Sequence, residues 1–356
     1  MIIIEKGTKT RLPKPFHFVN NICAYQYDQL TEILSDTYYL EMANTTFEDN
    51  PTLVKMLNDE GLHPLDALKK LGLNGELEIV VTKHVVMSII ADLVNFIYES
   101  IIIAQKGKLS VAYALLRKPL TDQLLILEQI VADREDFINR YFHDGDPQKY
   151  DPSAANLDRK KIIEQAVIKL NSQLYSPELI YELRYDKSSE VGINPFTNHA
   201  LHIVTNHKHY KTENQGLNFT FPLDDEDMFE FYNHYYSAVS VLLNYLAAIV
   251  DHIVFELIED KERRRIEKLL KRFIGFIMLY DHNERSLSKL TYSELSKLLA
   301  NECEICKTKN KFTKRDFEDY FHNHYFTCKR CFNPLHLPVE ALDNIGKILY
   351  GSEGMN

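Results

Sequence analysis

Residues 85–104 read VVMSIIADLVNFIYESIIIA, a run long and apolar enough to raise the question of a membrane span. Asp92, Asn95 and Glu99 interrupt it, and each is costly in hydrocarbon. In the wider segment the polar residues His84, Ser88, Asp92, Asn95 and Glu99 follow one another in steps of 4, 4, 3 and 4. That spacing puts them on one face of a helix whose remaining surface is apolar. The reading is a long helix over about 76–106, buried in a soluble bundle rather than in lipid. Its polar strip faces either solvent or an internal pocket.

The helical period continues on both sides. Residues 20–45 carry Tyr25, Leu30, Ile33, Leu34 and Tyr38 at helical spacing, and short helices fit 51–59 and 64–71, the second stopped by Gly72. A helix over 109–143 is interrupted by Pro119, which should kink or restart it, because proline lacks the backbone donor and clashes with the preceding turn. Further helices fit 157–174, a segment opened by Ser176-Pro177-Glu178, an apolar stretch over 225–258 and a basic one over 261–281. Thr291-Tyr292-Ser293-Glu294 reads as a capping box opening a last helix over 292–301. Pro13 and Pro15 mark residues 1–19 as an extended arm. Between 186 and 224, Thr205–Lys211 and Leu217–Phe221 alternate as strands do, and Glu213-Asn214-Gln215-Gly216 supplies a turn, so a small β-hairpin insertion is expected. The chain thus divides into an arm with short helices (1–75), a helical bundle (76–285) carrying the hairpin, and a C-terminal part (286–356).

Composition agrees with a mainly α protein. The chain has 356 residues, 45% of them apolar, with only 12 Gly and 12 Pro to make turns. A net charge of −10 argues against a protein that coats nucleic acid along its whole surface, while leaving room for a local basic patch. The N-terminal Met1-Ile2-Ile3-Ile4-Glu5 is too short for a signal-peptide core, which favours the cytoplasm.

The C-terminal part holds the most specific motif. Cys303-Glu304-Ile305-Cys306 and Cys328-Lys329-Arg330-Cys331 are two C-x-x-C knuckles with 21 residues between them. Two sulfurs per knuckle turn toward one ion, and the intervening segment folds back to add the second pair. Cys303, Cys306, Cys328 and Cys331 are therefore expected to hold one structural Zn2+ in a zinc-ribbon-like module over about 302–336. The fifth cysteine, Cys23, reads as a small core residue.

Other constellations are less specific. Arg117 and Glu128 are 11 residues apart and would share a face of a straight helix, separated by about 16 Å of rise. Each is expected to reach a partner on a neighbouring helix, either as a structural ion pair or toward a substrate. His199, His202, His207 and His209 cluster in the insertion; surface packing, a second metal site and proton transfer are all compatible with them. His252 and Glu256, four apart, form a hydrogen-bonded or metal-binding pair. Residues 261–272 carry seven basic and two acidic side chains, so Arg263, Arg264, Arg265, Lys268, Lys271 and Arg272 are candidates for phosphate contact. Lys329 and Arg330 on the second knuckle join them, within a basic face that includes Lys307, Lys309, Lys311, Lys314 and Arg315. His322-Asn323-His324 invites an HNH nuclease reading, but His324 lies only four residues before Cys328, where that pattern needs its base histidine well upstream.

The stretch Ala112-Tyr113-Ala114-Leu115-Leu116-Arg117-Lys118-Pro119-Leu120, running on to Glu128, resembles a recurring helix of bacterial proteins related to abortive-infection and HEPN-type bundles. The later histidine segment followed by a long apolar helix resembles them too, so the likeness covers about 80–260. HEPN members that cut RNA share an Arg followed, after four to six residues, by a His. Here Arg140 and His143 have only two residues between them, and the matches Arg11/His17, Arg315/His322 and Arg330/His336 lie outside the bundle. No catalytic pair is carried over.

Three functions fit. The first is an RNA- or nucleotide-directed protein of bacterial stress or phage defence, with phosphate contacts from the zinc module and residues 261–272, and Arg117, Glu128, His199, His202 and His207 lining a site. The second is a non-catalytic scaffold whose zinc module docks a protein partner or a second copy of the chain. The third is a metal-dependent hydrolase with Asp92, Glu99 or His252 at a site inside the bundle.

Overall fold

Asn74–Gln105 forms one unbroken helix of 32 residues in a computed structural model of the protein. The structure describes residues 2–345 except 6, 46–49, 59–60, 173, 210, 219–221, 223, 259–261, 282–284, 324, 339 and 343, and within helices the side chains of 262, 281, 285–288 and 290 are left aside. Among the described residues the α-helices are α1 (His17–Ser35), α2 (Leu40–Ala43), α3 (Pro51–Asn58), α4 (Pro64–Leu71), α5 (Asn74–Gln105), α6 (Leu109–Arg117), α7 (Leu124–Ala132) and α8 (Arg134–Ile138). Then come α9 (Arg159–Leu170), α10 (Pro177–Tyr185), α11 (Ile193–Leu201), α12 (Asp225–Leu257), α13 (Glu262–Asp281), α14 (Arg285–Leu298) and α15 (Lys314–Asn323). The only strands among these residues are two short antiparallel pairs, β1 (Asn301–Glu302) with β2 (Lys309–Asn310) and β3 (Phe326–Thr327) with β4 (Pro334–Leu335). The fold is a mainly α bundle with a C-terminal four-cysteine module.

Two helices, α5 and α12, are long and apolar enough to cross a membrane. The apolar window of α12 is 83% buried inside the protein, so its surface is spent on helix packing. In α5 the corresponding figure is 39%; its open side carries the exposed His84, Ser88, Asn95 and Glu99, flanked by half-buried apolar residues such as Met87, Ile89, Phe96 and Ile102. Asp92 pairs with Lys118 at 2.6 Å and accepts from Gln123 Nε2 at 2.6 Å. Lys118, then Gln123, hold its carboxyl below the usual range. The strip faces outward, not into an internal pocket.

Pro119 does not break the chain into two separate helices. A π-helical segment, Lys118–Gln123, joins α6 to α7, and Leu124 N–H bonds back to the Pro119 carbonyl. The wider turn gives the proline ring room that an α-turn lacks. The helix expected to run to 143 instead ends at Ala132. Asp133 is extended there (φ −158°, ψ 92°), and its carboxylate accepts from Asp136 N–H to start α8.

The insertion reverses direction as a hairpin does, but without a β ladder among the described residues. Ile193–Leu201 forms α11, packed on α6. The turn falls at the expected residues, with Gly216 N–H bonded to the Glu213 carbonyl at 3.0 Å. Before it Thr212 N–H reaches the Thr205 carbonyl at 2.9 Å, closing a loop where the first strand was expected, and after it Asn218 N–H reaches the Ile203 carbonyl at 2.8 Å. Side chains brace this loop: Thr205 N–H donates to Thr212 Oγ1 at 2.7 Å, and Thr212 Oγ1 donates to Asn218 Oδ1 at 2.7 Å. Threonine and asparagine offer the backbone these local alternatives to a sheet. Residues 210 and 219–221 of the two expected strands lie outside the described residues, as does the tail beyond 345.

The buried apolar residues fall into two clusters. The larger joins α1, α5–α7, α9, α10 and α12 and takes in the N-terminal arm through Ile2, Ile4, Leu12 and Phe16. The arm is tied down by side chains: Ile4 N–H donates to Asn21 Oδ1 at 2.8 Å, Asn21 Nδ2 donates to the Ile4 carbonyl at 3.0 Å, and Asn20 Nδ2 donates to the Ile2 carbonyl at 3.1 Å. The smaller cluster joins α13, α14, α15 and the four-cysteine module through Ile266, Leu270, Ile274, Tyr292, Phe317 and Phe321. Helix α13 therefore packs on α12 and, through its apolar stripe, on the C-terminal part as well, and Ile22 of α1 reaches into the same cluster.

Candidate metal centre and charged clusters

Each knuckle is built on a short strand pair. In the first, Cys303 N–H bonds to the Thr308 carbonyl at 2.9 Å and Lys307 N–H to the Cys303 carbonyl at 2.9 Å. In the second, Cys328 N–H bonds to the Asn333 carbonyl at 2.9 Å and Phe332 N–H to the Cys328 carbonyl at 3.0 Å. Lys307 and Phe332, the residues after each second cysteine, both take left-handed backbone (φ 56° and 58°), which turns the chain back under the sulfurs. The four Sγ atoms lie within 4.8 Å of one another, with Cys303–Cys331 at 3.6 Å and Cys306–Cys328 at 3.5 Å. A disulfide would need about 2.05 Å. Four sulfurs at about 2.3 Å from one ion stand roughly 3.8 Å apart, so the set fits a single metal ion. The Cys331 and Arg330 N–H groups pull the Cys328 thiol down to about 6, toward the thiolate that ligates metal. Among the described residues this is the one cluster of metal-capable side chains.

Helix α15 fills the space between the knuckles. Its Phe317, Tyr320 and Phe321 are buried, and Phe326 stacks on Phe312 with centroids 4.0 Å apart and on Tyr320 at 4.5 Å. His322 of the HNH-like string stacks on Tyr25 of α1 at 3.7 Å, and His324 lies outside the described residues.

The basic run of α13 is the largest correction to the sequence reading. Lys268, Lys271 and Arg272 are each only 2% exposed, so they offer no surface for phosphate. The hydrophobic stripe of α13 seats on its own cluster, and the neighbouring stripe then meets acids of α1 and α12. Lys268 Nζ lies 2.6 Å from Glu32 Oε2, and Arg264 Nη2 lies 2.6 Å from Glu32 Oε1 and 3.6 Å from Asp36. Arg272 Nε donates to Asp251 Oδ2 at 2.9 Å, and its Nη1 donates to Gln29 Oε1. Burial pushes the Glu32 carboxyl up, but Lys268, then Arg264 and Lys271, outweigh it and hold it below the usual range. Burial, then Lys268, pushes Lys271 down to about 6. Arg263 is exposed and pairs with Glu267 along the helix at 3.0 Å, Arg265 is half-buried, and Lys261 lies outside the described residues.

Glu128 finds its partner on α10. Arg184 Nη1 lies 2.5 Å from Glu128 Oε1, both side chains being 0% exposed, and Tyr245 donates its hydroxyl to the same oxygen at 2.8 Å. Arg184 Nε also donates to the Leu120 carbonyl at 2.6 Å, and the Tyr185 hydroxyl donates to that of Thr121. Both carbonyls belong to the π-segment at Pro119, so the guanidinium and the tyrosine serve backbone acceptors that the irregular turn exposes. Burial pushes the Glu128 carboxyl up, and Arg184 and Tyr245 pull against it. Arg117 is half-buried elsewhere: the extra residue of the π-turn rotates the register by about 100°, so the two no longer share a face.

The histidines do not join Glu128. His199 is half-buried on α11, His202 is exposed at its end, and the His207 and His209 rings stand 5.5 Å apart in the loop. Nor do the hydrolase candidates converge: Asp92 and Glu99 lie on the outer strip, and His252 Nε2 pairs with Glu256 at 3.1 Å, which holds that carboxyl below its usual range.

Sequence reasoning missed several groups. Arg184 continues the buried stripe Ile180, Leu183, Arg184, a signal that a charge there needs an interior partner. His234 is packed with Tyr113, whose hydroxyl lies 2.6 Å from Nδ1, and burial pushes it down to about 4. A groove of ≈ 760 Å³ runs between α14 and residues 311–314, lined by Lys289, Lys297, Lys311 and Lys314 and, among the described residues, by no acidic side chain. Its α14 wall, Lys289, Ser293, Ser296 and Lys297, follows the helical period and was legible as one face. Lys297 pairs at the surface with Glu294, outside that lining.

Comparison with protein families, curated proteins and solved structures yields no match for this chain.

Proposed function

We propose that the protein binds single-stranded RNA along its C-terminal part, where a zinc ion holds the module that presents the binding surface. The observation that carries this reading is the groove with four lysines and, among the described residues, no carboxylate in its lining. Tyr292 and Phe312 are in its lining but are buried, 5% and 4% exposed, so a stacking ring must come from the exposed surface around the module. Single-strand binders combine such a cationic track with rings on which bases stack. Around the knuckles Lys307, Lys309, Lys329 and Arg330 are exposed, and Phe332 is 76% exposed beside them.

Four thiolates in a closed set suit zinc among the divalent ions. When bound, the ion crosslinks the two knuckles and does no chemistry of its own. The cysteines fix the strand pairs, and α15 fixes the spacing between them. Reduced thiols, with no disulfide among the cysteines, favour the cytoplasm. The likeness to abortive-infection and HEPN-type bundles is the ground for placing the protein in bacterial stress or phage defence.

The test is fluorescence anisotropy with a short unstructured RNA between 50 and 200 mM salt. Binding should weaken steeply with salt, and replacing Lys289 and Lys311 by alanine should flatten the log–log slope by about 0.7 per lysine. Absent or salt-insensitive binding removes the reading. A protein-docking scaffold is the second reading, favoured by Ile305 (68% exposed) beside Phe332. It predicts that the lysine substitutions leave partner capture intact while Phe332→Ala abolishes it.

A further inference from the structure

The outward face of α5 carries an ordered pattern of its own. His84, Ser88, Ala91, Asn95 and Glu99 are all exposed, and their steps of 4, 3, 4 and 4 run them straight down one side of the helix. By the same helical spacing Met87 and Tyr98 flank the strip on one side and Phe96 and Ile103 on the other, all of them half-buried. The polar members are not spent inside the chain. His84 and Glu99 make no ion pair or hydrogen bond among the described residues. Asn95 Nδ2 donates to the Ala91 carbonyl at 2.7 Å, which leaves its Oδ1 open.

The strip is complementary to itself when reversed. Two copies of α5 packed antiparallel, with a two-fold axis passing between Ala91 and Asp92, set His84 opposite Glu99 of the second copy and Ser88 opposite its Asn95. Symmetry makes each pair occur twice. The His84 imidazole then donates to the Glu99 carboxylate, and the Ser88 hydroxyl donates to the open Asn95 Oδ1. The Ala91 methyl groups meet at the axis, where a small side chain lets the helices approach closely. The two Asp92 carboxylates also come near each other there, and each is already offset by its own Lys118 at 2.6 Å. Other arrangements pair badly. A slip of one helical turn sets His84 against Ile103, or Glu99 against Val80. A parallel pair sets His84 against His84 and Glu99 against Glu99. Charged and polar groups along a helix seam select orientation and register by this kind of mismatch.

We propose that the chain forms a two-fold symmetric dimer through the outward face of α5, the two helices antiparallel and His84 of each copy paired with Glu99 of the other. The contact runs along about 35 Å of helix between Val80 and Ile103. Met87, Tyr98, Phe96 and Ile103 lose their remaining water on either side of the seam, which drives association, and the polar pairs fix the register. The interface is separate from the lysine groove and stands whether or not the protein binds RNA.

The experiment is sedimentation equilibrium of the full chain across the micromolar range, where the mass should reach twice that of one chain. Ala91→Arg, His84→Glu and Glu99→Lys all change exposed side chains and leave the core alone. Each should weaken association at least tenfold. The first wedges the axis open, the second sets carboxylates opposite each other, and the third sets donors opposite each other. His84→Glu and Glu99→Lys combined in one chain put opposite charges back across the seam, so the double variant should recover most of the lost affinity. A chain that stays monomeric throughout the range overturns the proposal. So does a dimer that survives Ala91→Arg, or a double variant that associates no more tightly than either single one. A monomeric chain that co-sediments with phosphatidylcholine–phosphatidylglycerol vesicles, and ceases to with Ala91→Arg, assigns the face to a lipid surface instead and overturns it too.

Discussion

Arg184 and Glu128 sit fully inside the bundle, and the pair earns its place by serving an irregular turn as well as by its charge. Removing one partner strands the other in the interior, which costs about 3–5 kcal/mol. Glu128→Ala is therefore expected to lower the free energy of unfolding by that amount in urea titration. Arg117→Ala, half-buried and in no ion pair among the described residues, should cost less than about 1 kcal/mol. A loss from Arg117→Ala as large as that from Glu128→Ala would contradict the assignment of partners. Lys271 makes a second prediction at this scale. Burial, then the neighbouring Lys268, pushes its ammonium from the ordinary lysine value of 10.5 in the open chain down to about 6 in the fold. Between those values the unfolded chain binds more protons, so stability should rise as pH rises from about 6 toward 10. Lys268, also pushed down by burial, adds to the same slope. Urea midpoints at pH 6.5 and 9 should differ less in Lys271→Met than in the unsubstituted protein.

The knuckles and α15 form an element with its own core and with four sulfurs placed to take one metal ion. Removal of the ion with a chelator should leave four thiolates crowded within 4.8 Å of one another with nothing to bridge them. The expected outcome is loss of protection in residues 301–335, read by hydrogen exchange, while α5 and α12 of the main cluster stay protected. Cys328→Ser should lower the metal content from one ion per chain, measured by elemental analysis. Two or more ions per chain would instead favour a catalytic metal site elsewhere. How far this element was legible follows from its chemistry. Two C-x-x-C motifs fix ligand type and local turn within a few residues, so spacing alone finds them. The start of α14 was not legible in the same way. The capping box at Thr291–Glu294 lies inside a helix that begins at Arg285, because a local cap signal is outweighed when the preceding turn is also helical.

The two hydrophobic clusters meet where α12, α13 and α15 converge. Gly275 of α13 lies at that point: a Cβ there would come 2.8 Å from Phe321 Cε2 and 3.0 Å from Asn244 Nδ2. Asn244 in turn accepts from the Tyr175 hydroxyl and donates to the Arg272 carbonyl at 3.3 Å, so it has little freedom to move. Gly275→Ala should destabilise the protein by about 1–3 kcal/mol through overpacking, seen as a lower melting midpoint. If the substitution is neutral, the junction is looser than this packing implies.

Local order fixed what the sequence determined by itself: the long helices, the proline irregularity, the reversal at Glu213–Gly216 and the four-sulfur site. Helical period, turn residues and ligand spacing act over a few residues and need no neighbours. Only the tertiary structure decided which charges are inside. The basic run of α13 reads as a solvated face, yet half of its candidates are buried, because α1 brings Glu32 and α12 brings Asp251 to meet them. Glu128 announced that it needed a partner, but Arg184 lies 56 residues away in the chain. Burial and charge pairing are properties of elements brought together from distant sequence, and the sequence of one element does not contain them.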